Sequence, residues 1–119
     1  MRVLVVEDSA DLAYALALSL RFAGHEAKTV SENFADLLVP EAWAGMDAAV
    51  IDLQLRDRNV SGADVIEAGA RIRPSARLVL LTGSERGNGQ TFDRASRWAC
   101  AVLRKPVTAK LLLAVLEAT

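Results

Sequence analysis

The chain has 119 residues, 52% of them hydrophobic and 24% charged, with a formal net charge of −1. That suits one compact domain with a substantial core, and it excludes bulk attraction to nucleic acid or to an anionic membrane surface. The single cysteine, Cys100, excludes an internal disulfide, and the longest uncharged apolar run, Leu12 to Leu20, is far short of a membrane span.

Val3–Val6 reads as a short apolar strand that runs straight into Glu7 and Asp8. The charges arrive too soon for the apolar region of a signal peptide, which points to a cytoplasmic chain. Asp11–Ala23 reads as a helix stopped by Gly24. Leu12, Ala15, Leu16, Ser19, Leu20 and Ala23 recur at helical spacing and are expected to face a sheet. The other face then carries Tyr14, Ala17, Leu18, Arg21 and Phe22, with Tyr14, Leu18 and Phe22 in one exposed row. Glu26–Val30 is a polar strand, and Asn33–Ala44 a helix interrupted at Pro40.

The next strand, Ala48–Leu53, contains Asp52 within the run AVIDLQL. A carboxylate in so apolar a strand is costly unless it reaches solvent or finds partners. Ser61 and Gly62 precede a helix over Ala63–Arg73, which stops before Pro74. Arg77–Leu81 is a strand ending in Thr82 and Gly83, and Gln90–Ala99 a weakly patterned helix. Trp43 and Trp98 read as packing residues, and Cys100 as a small core residue. A weaker strand, Ala101–Leu103, leads to Arg104, Lys105 and Pro106. Thr108 can cap a final helix, Ala109–Ala118, striped by Leu111, Leu112, Val115 and Leu116.

Strand and helix thus alternate five times, the pattern of a parallel sheet covered on both faces. Ligands bind such sheets beyond the C-terminal strand ends. Those ends carry Glu7 and Asp8, then Asp52, then Thr82, then Lys105. Carboxylates gathered there raise one another's pKa, and a divalent cation relieves this. The donors are oxygens, which suits Mg²⁺ or Mn²⁺ rather than zinc, and His25 falls at the opposite edge. A metal beside a carboxylate, faced by a lysine and a hydroxyl, is equipment for handling a phosphoryl group. Asp52 can then be a nucleophile that forms an acyl phosphate, with Lys105 and Thr82 holding its oxygens. Lys105 is expected to supply the only cation at the strand ends.

With VVED at 5–8, VIDLQL at 50–55, LLTG at 80–83 and RKP at 104–106, the chain resembles the receiver domain of bacterial two-component response regulators over residues 1–119. The resemblance implies an α/β, flavodoxin-like, doubly wound (βα)5 sandwich with a five-stranded parallel sheet in the order 2-1-3-4-5. It implies a phosphorylation-dependent switch, not an enzyme, although the domain assists its own phosphorylation and dephosphorylation. Asp52 would accept the phosphoryl group from a histidine kinase or a histidine phosphotransfer domain. Asp8 and Asp52 would bind Mg²⁺ directly, Glu7 through water and Gln54 through its backbone carbonyl, while Thr82 and Lys105 would contact the phosphoryl group. The first helix would dock the phosphotransfer domain, and the row Tyr14, Leu18, Phe22 would serve that contact or a homodimer. No direct contact with nucleic acid or membrane is implied.

The chain departs from the family pattern in places. Val102 stands where an aromatic residue is usual, so the switch is expected to be carried by the Ser84–Gln90 loop with its glycines Gly87 and Gly89. Arg56 stands where proline is usual, and Gly62 lies further along than usual. The loop bearing Arg56, Asp57 and Arg58 should therefore be longer and remodelled, and Trp98-Ala99 replaces the usual Gly-Ala. A receiver-like interaction module that is no longer phosphorylated is the alternative function. An aspartyl-nucleophile phosphatase is the third, and Gln54 counts against it, because the haloacid-dehalogenase-like enzymes have a second Asp there. The last helix reaches Thr119 with no DNA-binding domain after it, which fits a stand-alone regulator and an excised receiver equally.

Overall fold

A parallel sheet needs apolar side chains on both faces, and the strands here supply them almost without a break. A computed structural model describes residues 1–83 and 89–118. It contains β1 (Arg2–Val6), α1 (Ala10–Phe22), β2 (Glu26–Val30), β3 (Ala48–Asp52), α2 (Gly62–Ile72), β4 (Arg77–Thr82), α3 (Gly89–Ser96), β5 (Ala101–Arg104) and α4 (Ala109–Leu116). The five strands pair in parallel in the order β2-β1-β3-β4-β5, the expected flavodoxin-like arrangement. The register sets Val5 beside Val50, Val50 beside Val79, and Asp52 beside Leu81.

Alternation along each strand divides the core into two layers. Val3, Val5, Ala48, Val50, Val79 and Leu81 pack with Leu16 and Leu20 of α1 and Leu112 and Leu116 of α4. Leu4, Val6, Ala49, Ile51, Leu78 and Leu80 pack with Val65 and Ile66 of α2 on the other face. Helix starts follow their capping residues. Leu12 N–H donates to Ser9 Oγ at 3.3 Å, and Leu111 N–H donates to Thr108 Oγ1 at 3.1 Å. Ser61 and Asp64 form a reciprocal capping box at the start of α2. Gly24, at φ 94°, ends α1 as expected.

The segment between β2 and β3 is not the interrupted helix that its sequence suggests. It forms two 3-10 helices, Phe34–Leu38 and Pro40–Trp43, so the described residues hold four α-helices rather than five. Pro40 has no N–H to donate and forces Val39 into extended backbone, at φ −116° and ψ 153°. Trp43 then anchors the segment. Its side chain is fully buried, and its Nε1–H donates to the Leu37 carbonyl at 2.8 Å. The ring lies against α2 at Gly69, where an added Cβ would stand 2.8 Å from two ring carbons.

Four burial expectations also change. The inner face of α1 is Ala13, Leu16, Ala17 and Leu20, while Ala15 and Ala23 are exposed. The two small alanines let the helix lie close against the sheet, which turns Ala17 inward. Cys100 is exposed just before β5 rather than in the core. Trp98 is largely exposed after α3, and Leu111 lies on the outer side of α4. No helix among the described residues is long and apolar enough to cross a membrane.

Candidate functional site

Asp52 is the last residue of β3, and it is buried. Both of its oxygens have partners, which answers the cost raised by its apolar surroundings. Gln54 N–H donates to Oδ1 at 3.1 Å, and Lys105 Nζ donates to Oδ2 at 2.9 Å. The start of α2 presses on the same place, because Gly62 N–H donates to the Leu53 carbonyl at 3.2 Å.

Glu7 follows β1 and is also buried. Its Oε1 accepts from Lys105 Nζ at 2.6 Å, and its Oε2 accepts from Ser9 N–H at 2.9 Å. The Lys105 ammonium therefore bridges two carboxylates from different strand ends. Its backbone N–H donates to the Thr82 carbonyl at 2.8 Å, joining the ends of β4 and β5. Thr82 itself is buried as the last residue of β4. Asp8 is less enclosed. Its Oδ2 accepts from Arg56 N–H at 3.2 Å, and the Arg56 guanidinium Nε lies 3.5 Å from the same oxygen.

Carboxylate oxygens of Glu7, Asp8 and Asp52 all come within 4.8 Å of one another. A cleft of about 310 Å³ opens over them, with Ser9, Gln54, Arg56, Gly83 and Lys105 on its walls. Burial pushes the Glu7 carboxyl up to about 7, and its hydrogen bond with Asp8 and the charge on Asp52 reinforce the shift against the pull of Lys105 and Ser9 N–H. Burial alone would raise Asp8 too, but hydrogen bonds from Glu7 and from Arg56 N–H, with the Arg56 charge, carry it below its usual value. Burial works against the charge on Lys105, and its bonds to Glu7 and Asp52 overcome this and raise its pKa. Such a cluster is short of positive charge, and its donors are oxygens, so a hard divalent cation fits it.

The strand ends thus gather Glu7, Asp8, Asp52, Gln54 and Lys105 around one cleft, with Thr82 one residue behind its wall at Gly83. Lys105 is not the only cation there, because Arg56 reaches Asp8. Arg56 follows Asp52 closely in the sequence, but the return of this arginine to Asp8 depends on a path that no local pattern encodes. Val102 is exposed on β5. In the Ser84–Gln90 loop, 84–88 lie outside the described residues.

No family model and no curated protein matches the chain. Solved structures do. A response regulator protein from Burkholderia pseudomallei, solved with a phosphorylated aspartic acid, a calcium ion and citrate, gives a TM-score of 0.80 at 28% identity. The match covers 98% of this chain and spans 66% of that one. The signal receiver domain of a modulated diguanylate cyclase from Desulfovibrio desulfuricans G20 gives 0.83 at 26% identity, over 98% of this chain and 90% of that one. The fold is that of a response regulator receiver domain. A CheY-like receiver domain protein from Methanospirillum hungatei JF-1 shares the receiver fold with a TM-score of 0.75 at 24% identity, over 94% of this chain and 86% of that one. In this chain the acidic cluster of Glu7, Asp8 and Asp52 is placed where a divalent cation can bind.

Proposed function

We propose that this chain is a single receiver domain over residues 1–119 that accepts a phosphoryl group on Asp52, supplied by a histidine kinase or histidine phosphotransfer domain. The observation that carries this reading is the Lys105 ammonium, 2.6 Å from Glu7 Oε1 and 2.9 Å from Asp52 Oδ2, at the rim of a three-carboxylate cleft. An Asp52 carboxylate oxygen attacks the phosphorus of the phosphohistidine. A P–O bond forms, the P–N bond breaks, and the leaving imidazole keeps the electron pair and takes a proton from solvent. The product is an acyl phosphate on Asp52.

Gln54 N–H fixes the plane of the Asp52 carboxylate by holding Oδ1. Lys105 exchanges its contact with Asp52 for one with a phosphoryl oxygen, and the Thr82 hydroxyl takes another. Glu7, Asp8, Asp52 and the Gln54 backbone carbonyl would hold Mg²⁺. When bound, the ion supplies Lewis-acid neutralisation of the phosphoryl oxygens. The kinase-side domain docks on the outer face of α1, where Tyr14, Leu18 and Phe22 are 60%, 40% and 87% exposed. An apolar groove of about 380 Å³ lined by Leu12, Leu16 and Val107 lies beside Lys105.

Incubation with a small phosphodonor and Mg²⁺, followed by intact-mass analysis, tests the reading. One phosphoryl group should be gained, peptide mapping should locate it on Asp52, and Asp52→Asn should gain none. No mass gain would leave the interaction-module function in its place, and phosphate on another residue would overturn the assignment.

A further inference from the structure

Asp8 already meets a cation that the metal reading leaves without a task. Arg56 N–H donates to Asp8 Oδ2 at 3.2 Å, and the guanidinium Nε stands 3.5 Å from that same oxygen. The two contacts differ in kind. The backbone contact fixes the loop, whereas the guanidinium is 95% exposed and its pairing is weak and easily released. Release has a destination. Arg56 also borders a second cleft, of about 430 Å³, whose walls include Glu32 and Asp57. The guanidinium can leave Asp8 without losing acidic surroundings.

We infer that Arg56 is a positioning residue acting through Asp8: its guanidinium occupies Asp8 while the site holds no divalent cation, and it must yield when one binds. The inference rests on the divalent-cation reading of the Glu7, Asp8 and Asp52 cluster. A cation approaching Asp8 meets both a carboxylate already neutralised in part and a like charge beside it. Arg56 therefore sets the divalent affinity of the receiver downward, and does so through charge rather than shape. No covalent bond is made or broken; one cation would replace another at the same carboxylate.

Calorimetric titration of the full chain with magnesium chloride alone tests this, on wild type, Arg56→Ala, Arg56→Gln, Arg56→Lys, Arg56→Glu and Asp8→Asn. Arg56→Ala and Arg56→Gln should bind Mg²⁺ about two- to fivefold more tightly than wild type, the effect of one exposed ion pair. Arg56→Lys should stay near wild type, and Arg56→Glu should bind more tightly still. The gap between wild type and Arg56→Ala should narrow as inert salt is added, because the pair is screened. Equal or weaker binding by both neutral variants overturns the inference. So does an Arg56→Lys variant that behaves like Arg56→Ala, since that marks loop packing rather than charge. If Asp8→Asn abolishes binding while every Arg56 variant matches wild type, this inference falls and the metal reading stands. If wild type binds no Mg²⁺, both fall.

Discussion

Gly62 decides how near α2 can come to the end of β3. A methyl group there would strike the Asp52 carbonyl oxygen and stand 2.7 Å from Leu53 Cα. Those neighbours are backbone atoms at the end of the central strand β3, so they can shift only at a cost to the pairing there. Gly62→Ala should therefore lower stability by about 1–3 kcal/mol, the cost of overpacking, measured by urea unfolding. It should also lower the yield of labelled Asp52, because the Asp52 main chain moves with it. In the sequence Gly62 is legible only as a helix-start residue. Its closer duty depends on how two distant segments meet, which spacing does not carry. The carboxylates and Lys105 were easier to read, because each sits within two residues of the end of an apolar run. Asp52 was legible as a problem, a charge in a buried strand, before its partners were known.

Helix α1 turns a different face to the sheet from the one its longest stripe suggests, yet its outer row stands. Tyr14, Leu18 and Phe22 are spaced one turn apart, and that spacing keeps them together whichever way the helix is rolled. Exposed rows of large apolar side chains mark contact surfaces. Phe22→Glu and Leu18→Glu should reduce phosphotransfer from a cognate kinase at least tenfold, or dissociate a homodimer. Labelling by a small phosphodonor should be unchanged, since the row does not line the cleft. Kinase transfer and sedimentation behaviour that both match wild type would reduce the row to ordinary surface. The segment from Phe34 to Trp43 departs from the expected helix for a related reason. Its composition is helical, but Pro40 and the burial of Trp43 against Gly69 select short 3-10 turns instead. Tertiary packing overrode local preference there.

Among the described residues, Arg94 of α3 ties that helix to α2 beside their apolar contact. Arg94 donates to both oxygens of Glu67, at 2.9 and 2.8 Å, and to Asp64 Oδ1 at 2.7 Å. Its bond and charge draw Glu67 below its ordinary value of 4.5. Burial alone would raise Asp64, but Arg94 and the Ser61 N–H carry it below its ordinary 3.8. A carboxyl depressed in the folded state adds stability that is present above its unfolded value and is lost as pH falls through the folded one. Wild type should therefore exceed Arg94→Gln in stability above about pH 4.5, by about 1 kcal/mol for so exposed a network, and the difference should fade as pH drops below 3.8. Denaturant unfolding across that range measures it, and a constant difference would assign the effect to packing. At this scale the sequence was most informative. The alternation of strands and helices follows from apolar runs punctuated by Gly24, Gly62 and Pro74, and the strand order was implied only by the family resemblance, whereas the Arg94 tie joins two helices whose separation no periodicity reports.

The two tryptophans occupy opposite optical environments. Trp43 is sealed from water with its indole N–H bonded to a carbonyl, whereas Trp98 is 45% exposed. An aqueous quencher therefore reaches Trp98 in the native protein and Trp43 only once the core has opened. The blue edge of the emission should follow global unfolding, and the red edge should report the surface around Trp98. One unlabelled sample thus carries separate spectral channels for its core and for its rim.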